Sequence, residues 1–429
     1  MTRILPAFGL FFVALIYCVA THAQDIRRDV AETENDPSWL LLPFIFQTES
    51  LDTAYGISAG TSGYFQPQMS TFVAVMGSTN DTLALFLSIN DYQFQSLPRL
   101  FATFTGSIGD WTDHRTYAGF DTAFPGEQGG SNDSSDDNFF SGSGRNDWFD
   151  LKIRYLLPTG DGRDNLINTF FLDRGIIESG EVDVTEWSPS RSGRLYFDTT
   201  YFSHARSFDQ DPDEIAGDTN GLEFALEYDN RNFSPDPSLG SLQRFAIKRD
   251  FGWFDSTNSW TNLELDLRKY VSLGSTTRFR QRVLAFNFWT SYTPTWKISL
   301  TANGPVTEHR PPNVKGASLG GLKRLRAYPI DRFSDKAALL YTVELRLTSS
   351  WNPRNWRVLN YLDVDWVQLV PFAEVGRVAD RWSLSELHKN LKWDLGVGLR
   401  FMMRKAVFRI ETAFNDEAWS SWVMIGHPF

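Results

Sequence analysis

Few residues of this 429-residue chain are spaced for metal binding. Asp209, Asp211 and Asp213, in the segment SFDQDPDEIAGDTNG, have the alternate spacing with which a calcium loop begins. Such a loop needs glycine at its sixth position and a carboxylate at its twelfth, but Glu214 and Asn220 stand there. The sequence therefore favours an acidic surface loop, with a loose divalent-cation contact as the alternative, and it predicts no metal site.

Nucleophilic catalysis also has little support. A hydrolase needs a histidine base beside a serine nucleophile. Ser203 and His204 are neighbours in a predicted strand, so their side chains point to opposite faces. The single cysteine, Cys18, lies in the apolar N-terminal segment, which excludes disulfides and thiolate metal sites from the rest of the chain. We expect no enzymatic activity and no cofactor.

A stronger candidate is the basic stretch LGGLKRLRAYPIDRF, residues 319–333. It lies in a linker of roughly forty residues, a length that is uncommon in a compact domain unless the linker is functional or disordered. Arg326 can pair bidentately with a carboxylate. Alternation in FAEVGRV places Glu374 on one face with Phe372 and Gly376. An ion pair between Arg326 and Glu374 would hold the linker against a strand, whereas the alternative is a solvated arginine.

The elements that must position these residues alternate between apolar and charged side chains. TNLELDLRKYV places Leu263, Leu265 and Leu267 on one face with charged residues between them, and GLEFALEYD, LYTVELRLT and FDLKIRY repeat the pattern. Charges that face lipid near the bilayer centre cost about 2–4 kcal/mol each, whereas a wet interior accommodates them. The pattern favours a membrane barrel with an ionic interior over a large sandwich, which would turn its charged face to water.

Composition agrees with an exported envelope protein. About 15% of the residues are aromatic, including 35 Phe, although the mean hydropathy is negative, which suits aromatic girdles around a polar interior. Residues 1–23 have the pattern of a cleaved signal peptide. Removal of Arg3 with it leaves 40 Lys and Arg against 52 Asp and Glu, which gives no reason to expect nucleic-acid binding. No later stretch approaches the ~20 apolar residues of a membrane-spanning helix.

Alternation predicts an all-β fold, a transmembrane antiparallel β-barrel of about sixteen strands, since bacterial barrels have even numbers. The strands are predicted to start near residues 53, 69, 82, 99, 147, 165, 193, 220, 241, 258, 276, 337, 364, 391, 405 and 419. The chain then divides into a signal peptide (1–23), a short periplasmic segment (24–52) and the outer-membrane barrel (53–429). Up-and-down order would put the long connections 110–146 and 174–192 on the side of the short turns, which indicates a misplaced strand among the first seven.

The end of the sequence, WSSWVMIGHPF, places Val423, Ile425 and Phe429 on one face of a last strand. This pattern resembles the C-terminal sorting signal of bacterial outer-membrane barrels. The alternative is an ordinary edge strand.

Several segments resemble the bacterial surface-antigen superfamily of outer-membrane assembly barrels, which includes BamA/TamA-like insertases and the two-partner secretion transporters. In that family a Gly-Gly pair followed by Arg-Gly-Tyr or Arg-Gly-Phe lies on a long extracellular loop that folds inward between strands 11 and 12. The matching residues here are Gly320, Gly321, Arg326, Ala327 and Tyr328. Ala327 replaces the family glycine, and a backbone that needs positive φ there would cost about 1 kcal/mol or force a different loop path.

Two further motifs support the resemblance, which covers residues 220–429 best. FAEVGRV is similar to the family strand motif F-x-D-x-G, with Glu374 for the aspartate. YDNRNFSPDPSLGS is similar to the family's periplasmic turn D-x-R…P-x-x-G. Its matching residues are Asp229, Arg231, Pro237 and Gly240.

The resemblance implies a plugged barrel in the outer membrane of a Gram-negative bacterium, with first and last strands that open sideways to a client. The function would lie in outer-membrane biogenesis or in protein or lipid transport. Because residues 24–52 leave no room for the family's POTRA domains, the chain resembles the subgroup that lacks them. Expected partners are outer-membrane lipid and lipopolysaccharide, the envelope chaperones and barrel assembly machinery that insert it, and a separate periplasmic protein in place of those domains. The alternatives are a diffusion pore with an ionic interior and a structural surface protein.

Overall fold

The computed structural model describes residues 25–29, 37–48, 51–180, 187–209, 217–301, 304–404 and 406–429. The predicted signal peptide lies outside these ranges, as do Asp211 and Asp213 of the acidic loop. Within the described ranges the α-helices are two short turns, Arg357–Tyr361 and Leu384–Leu387. None of the described helices is long and apolar enough to cross a bilayer.

One antiparallel sheet of sixteen strands dominates the fold, and its strand order follows the order of the chain. The predicted all-β class and the count of sixteen are therefore confirmed. The strands are β1 (Ser38–Thr48), β2 (Asp52–Ser62), β3 (Ser70–Ser78), β4 (Leu83–Gln93), β5 (Leu100–Thr116), β6 (Phe140–Leu156), β7 (Arg194–Phe208), β8 (Thr219–Asp229), β9 (Gly240–Asp250), β10 (Trp260–Ser272), β11 (Phe279–Tyr292), β12 (Ala337–Ser349), β13 (Val364–Ala379), β14 (Lys392–Met403), β15 (Ala406–Phe414) and β16 (Trp419–Ile425).

Two boundaries predicted from the sequence are wrong. The sheet begins at Ser38, inside the segment 24–52 that was expected to precede it, because SWLLLPFIFQT is apolar on both faces and lacks the alternation that marks the other strands. The strand expected near residue 165 is Asn168–Asp173, which belongs to a separate small sheet. The sheet gains the strand that begins at Ser38 and loses the strand expected near residue 165, so the count stays at sixteen. This exchange also moves the connection 117–139 to the same end of the sheet as the long connection 293–336.

The two faces of the sheet differ in the way that alternation predicted. Apolar side chains on the outer face are exposed: Leu41 is 52% and Ile57 is 50% exposed. Charged side chains on the inner face are buried, and Glu344 is 0% exposed. A soluble sandwich would show the opposite arrangement, so that alternative does not describe the fold.

The sheet curves around the connection 293–336, which joins β11 to β12. Lys315 of this connection lies 2.6 Å from Asp150 on β6, while Arg326 lies 2.8 Å from Glu411 on β15. Strands from both halves of the sheet therefore face the same loop. Its own elements are a hairpin, Lys297–Thr301 with Gly304–Glu308, and a short pair, Ala317–Leu319 with Phe333–Asp335.

A three-stranded sheet fills the opposite end of the molecule. Its strands are Asp25–Asp29, Asn168–Asp173 and Ile176–Gly180, and the first two pair in parallel. Phe170 and Leu172 of the middle strand are buried in a cluster with Phe233, Trp366, Met402 and Val407. The connection between β6 and β7 therefore packs against the turns and strands that surround it.

Candidate functional site at the inward-folded loop

Two consecutive glycines make the turn that carries the loop inward. Gly320 and Gly321 have φ angles of +114° and +95°, a region that L-residues with side chains rarely adopt. A Cβ atom on Gly320 would lie 2.2 Å from the carbonyl oxygen of Pro329. The Gly321 N–H donates to the Tyr328 carbonyl at 3.0 Å, which closes the segment 321–328 into a compact loop. The sequence motif Gly-Gly therefore has a direct geometric reason.

Arg326, at the tip of this compact loop, is fully buried among three glutamates. Its Nε donates to Glu374 Oε2 at 3.1 Å, and its backbone N–H donates to the same oxygen at 2.9 Å. Its Nη1 donates to Glu344 Oε1 at 3.0 Å and to Glu411 Oε2 at 2.8 Å. The structure thus brings Arg326 and Glu374 together, as the sequence suggested, and the arginine is not solvated.

Phe372 and Gly376, the other members of the strand motif, also contact the loop. The guanidinium carbon of Arg326 lies 3.4 Å from the centre of the Phe372 ring, within the range of a cation–π contact. A Cβ atom on Gly376 would lie 2.7 Å from the Leu339 carbonyl oxygen and 3.1 Å from Leu319 Cδ1. The glycine therefore leaves room for a loop side chain against β13.

Ala327 does not impose the cost that a positive φ would bring. The positive φ angle falls at Leu325, at 48°, while Ala327 is not among the residues with positive φ. The Ala327 N–H donates to Asp394 Oδ2 at 2.9 Å, and its methyl group is buried with Phe372 and Ala413. The departure from the family glycine is therefore tolerated here. Tyr328 follows it into the core and packs edge-on against Phe333 at 5.0 Å.

The site contains more charged residues than the sequence motifs indicated. Arg400 Nη2 lies 2.7 Å from both Glu344 Oε1 and Glu411 Oε1. Arg346 lies 3.0 Å from Glu344, and Arg409 lies 2.5 Å from Glu411. The period-two spacing in VELRL, GLRF and FRIET could have identified these residues as one inner face. We call the set Arg326, Arg346, Arg400, Arg409, Glu344, Glu374, Asp394 and Glu411 the loop clamp.

The loop clamp joins the loop to several strands of the sheet. Apart from Arg326 of the loop, its members come from β12, β13, β14 and β15. β16 adds the Trp422 Nε1–H, which donates to the Arg326 carbonyl at 2.6 Å. A buried charge is costly unless it is paired, so each partner depends on the others. Among the residues that the structure describes, no group of His, Cys, Asp and Glu has the arrangement of a metal site. The arrangement therefore fits a mechanical connection between loop and sheet.

The predicted turn motif closes the opposite end of the same sheet. Arg231 Nε donates to Asp229 Oδ1 at 2.9 Å, and its Nη2 donates to Asp229 Oδ2 at 2.7 Å. Gly240 has a φ of +96°, and a Cβ atom there would lie 2.2 Å from the Asn230 carbonyl oxygen. Pro237 is buried within the same connection, 230–239. All four motif residues thus belong to one rigid turn.

The prediction that Val423, Ile425 and Phe429 share one face of the last strand is wrong for Phe429. Val423 and Ile425 lie on β16, opposite Ile410 and Phe408 of β15. The strand ends at Ile425, and Gly426 with φ +84° turns the chain inward. Phe429 is then buried beside Tyr270 of β10, with ring centres 6.4 Å apart. Alternation fails because it applies only while the strand continues.

Comparisons with known proteins assign the chain to a family. The model of the Omp85 superfamily domain matches residues 190–418, which is more than half of the chain. No curated protein matches the chain.

Three solved structures are similar to this chain at low sequence identity. CdiB from Escherichia coli has a TM-score of 0.54 at 10% identity, over 91% of this chain and 62% of that one. CdiB from Acinetobacter baumannii has a TM-score of 0.49 at 11% identity, over 92% and 60%. BamA from Haemophilus ducreyi lacking POTRA domains 1–3 has a TM-score of 0.48 at 12% identity, over 92% and 70%. The chain therefore spans about three fifths of the two CdiB chains. On the match of the family model, this chain belongs to the Omp85 superfamily.

Proposed function

We propose that the chain is an integral barrel of the Gram-negative outer membrane whose first and last strands separate to admit a client. The role would lie in outer-membrane biogenesis, or in moving a protein or lipid across or into that membrane. The inverted polarity of the sheet supports the membrane location, because the apolar residues of its outer face are exposed while the charged residues of its inner face are buried in ion pairs. Membership of the Omp85 superfamily supports an assembly or secretion role.

The observation that carries the proposal is the boundary between β1 and β16. In the described chain these two strands form the free ends of the sheet, and no backbone ladder joins them. Instead, Leu40 and Leu42 of β1 pack on a cluster that contains Phe408 of β15. Pro43 in the middle of β1 agrees with an edge position, since proline inside a sheet is confined to edges. We call this boundary the seam.

Side-chain contacts of this kind are easily exchanged for lipid. Each backbone hydrogen bond in a ladder contributes about 0.5–1.5 kcal/mol net, and the seam has no ladder to break. Lipid tails are as apolar as leucine, so lipid can replace the packing of Leu40 and Leu42 on this cluster at little cost. Opening the seam would expose two strand edges, which are templates for adding a client strand.

Crosslinking the seam tests the proposal. The only native cysteine, Cys18, lies in the predicted signal peptide, so an L40C/I425C pair can be bridged specifically by a short bismaleimide. Both side chains pack on the cluster at the seam. The matched control is I57C/V75C, a directly paired position on β2 and β3. We expect the bridged seam variant to fold but to fail in complementing a deletion strain, while the bridged control complements it. Full complementation by the bridged seam variant would disprove the gate.

Planar-bilayer conductance separates the proposal from a diffusion pore. The described part of the loop 293–336 lies inside the curved sheet, so we expect small and irregular openings that the seam crosslink reduces further. Stable conductance steps that the crosslink leaves unchanged would favour the pore. A silent barrel whose deletion leaves the outer membrane intact would favour a structural surface protein.

A further inference from the structure

A cavity of about 470 Å³ lies between the clamped loop and the sheet. This volume falls in the range of about 300–1,000 Å³ that is typical of ligand sites. It extends from the turn residue Arg231 at one end to Lys315 and Arg324 of the loop at the other. The loop clamp itself fills a different part of the interior, apart from Arg409, which borders both.

The cavity is basic in an acidic protein. Its lining includes ten Lys and Arg side chains against six Asp and Glu side chains, although the whole chain carries a formal net charge of −11. The carboxylates on the charged wall are already engaged. Glu264 lies 2.9 Å from Lys248, Asp266 lies 2.5 Å from Arg268, and Glu223 pairs with Arg244. Arg231 and Arg409 are paired as well, with Asp229 and Glu411 outside the lining, so positive charge open to an anion must come from the remaining cations.

Two of the lining cations lack a close carboxylate. Within the described ranges, neither Arg324 nor Lys152 has a carboxylate oxygen within 4 Å of its charged nitrogens. The guanidinium carbon of Arg324 lies 3.5 Å from the centre of the Trp289 ring, which holds the side chain flat against β11. Lys152 lies near Arg244 and Arg324 lies near Glu264, and Arg244 and Glu264 are themselves 3.5 Å apart. An arginine fixed in this way presents its donors for a phosphate.

The opposite wall of the cavity has a different character. It consists of small polar and apolar side chains from β2 to β5: Gly60, Ser62, Ser70, Phe72, Ser88 and Thr105. Asp91, at the irregularity in β4, borders this wall at its edge. Gly60 and the serines project little into the space.

The cavity also reaches the seam. Leu40 of β1 and Phe408 and Ile425 of β15 and β16 line it together with the uncharged wall. An apolar chain that lies along Phe72 would therefore leave the cavity where the outer apolar face of the sheet begins. A charged wall, an uncharged wall and an apolar exit together describe a site for an amphiphile.

We infer that this cavity binds a phosphate-bearing acyl lipid, with the phosphate against Arg324 and Lys152 and the acyl chain along Phe72 toward the seam. The inference deepens the proposed function and rests on its assignment of the outer face to lipid. It names a lipid as the client or regulator that the interior recognises.

Lipid titration followed by native mass spectrometry of the purified full chain in nonionic detergent tests the inference. The probes are a phosphatidylglycerol and a diacylglycerol with the same acyl chains, and inorganic phosphate as a competitor. We expect one phosphatidylglycerol to bind, the diacylglycerol to bind far more weakly, and inorganic phosphate to compete poorly. Loss of one charge-assisted contact in R324Q or K152Q should weaken phosphatidylglycerol binding about tenfold.

Matched variants separate this site from a general effect of charge. R249Q removes an arginine from β9 that does not line the cavity, so its affinity should equal that of the native chain. R324K should retain most of the affinity because it keeps the charge, and S88D should weaken binding by charging the uncharged wall. All variants are first checked for the heat-modifiable mobility of the folded barrel.

Several outcomes would overturn the lipid assignment. If diacylglycerol binds as tightly as phosphatidylglycerol, the phosphate contributes no contact. If inorganic phosphate binds as tightly as phosphatidylglycerol, the acyl chain contributes none. A co-purified polypeptide that R324Q releases would make the cavity a peptide site. Because binding is measured without opening the seam, a negative result here leaves the crosslinking test of the gate unaffected.

Discussion

Arg326 and Glu374 share two hydrogen bonds to a single carboxylate oxygen, one from the arginine backbone at 2.9 Å and one from Nε at 3.1 Å. The other oxygen, Oε1, accepts from Thr342 of the neighbouring strand at 2.9 Å. Glu374 therefore fixes both the path of the loop and the direction of the guanidinium. The extra methylene relative to the family aspartate lets it reach both groups.

Replacing Arg326 should loosen the loop. In R326A, Glu344, Glu374 and Glu411 lose their common partner, and removal of one member of a buried ion pair typically costs about 3–5 kcal/mol. We expect the heat-modifiable gel shift to occur at a lower temperature and new protease cleavage to appear within 293–336. R326K, which keeps the charge but not the fork, should fall between R326A and the native chain. An unchanged gel shift and unchanged protease resistance in R326A would count against the clamp.

A methyl group at position 376 should displace the loop without changing any charge. In G376A the new Cβ would lie 2.7 Å from the Leu339 carbonyl oxygen, so the strand pair or the loop must move. Overpacking of this kind typically costs about 1–3 kcal/mol. Thermal unfolding of the refolded barrel measures the change. The control is G77A on β3, where the nearest atoms lie at 3.4 Å; equal stability of the two variants would refute the close approach.

The last residues should differ in their contact with lipid. Phe429 is buried against Tyr270, whereas Ile425 on β16 lies opposite Phe408, at the seam where the outer apolar face begins. We expect a fluorophore on I425C to be quenched by brominated lipid and one on F429C to be protected. Equal quenching at the two positions would place Phe429 on the outer face after all.

Asp236, in the turn that follows β8, should make stability depend on pH. Burial raises the pKa of Asp236 to about 6, although Arg346 and Arg400 oppose the shift, and its Oδ1 lies 3.1 Å from His427 Nε2. An unfolded aspartate titrates near pH 3.9. Between these values the folded chain holds a proton that the unfolded chain releases, so this contribution is full below about pH 4 and is lost as pH rises through about 6.

D236N should lack this component because asparagine does not titrate. A pKa shift of this size changes the free energy of unfolding by at most about 3 kcal/mol. Denaturant unfolding of both proteins between pH 4 and 7 measures the difference, and the stability of D236N relative to the native chain should increase as the pH rises. Parallel pH profiles for the two proteins would show that Asp236 does not titrate in this range.

The sequence predicted the fold where alternation was clean and failed where it was absent. From Thr219 onward, strands such as TNLELDLRKYV alternate between apolar and charged residues, and their starts were placed within three residues. The sequence did not predict β1, because Leu40, Leu42 and Phe44 on its inner face are as apolar as the residues of its outer face. A strand at the seam needs no charge on either side, so periodicity could not mark it.

Within the loop clamp, the sequence identified the pair but not the network. Arg326 and Glu374 were found through a family motif, which indicates single positions. Glu411 and Arg400 lie on β15 and β14, and they meet Arg326 only because the curved sheet places these strands opposite the loop tip. Curvature is a property of the whole sheet, and local spacing carries no information about it.

The inner faces of the early strands are as informative as the clamp. β2, β3 and β4 present small uncharged residues such as Ala54, Ser58, Ala74 and Ser88 toward the interior. Small uncharged side chains can slide past one another without separating opposite charges. Movement of β1 to β4 therefore leaves the electrostatic framework of β12 to β16 intact, so the two halves of the wall can differ in stiffness while sharing one continuous sheet.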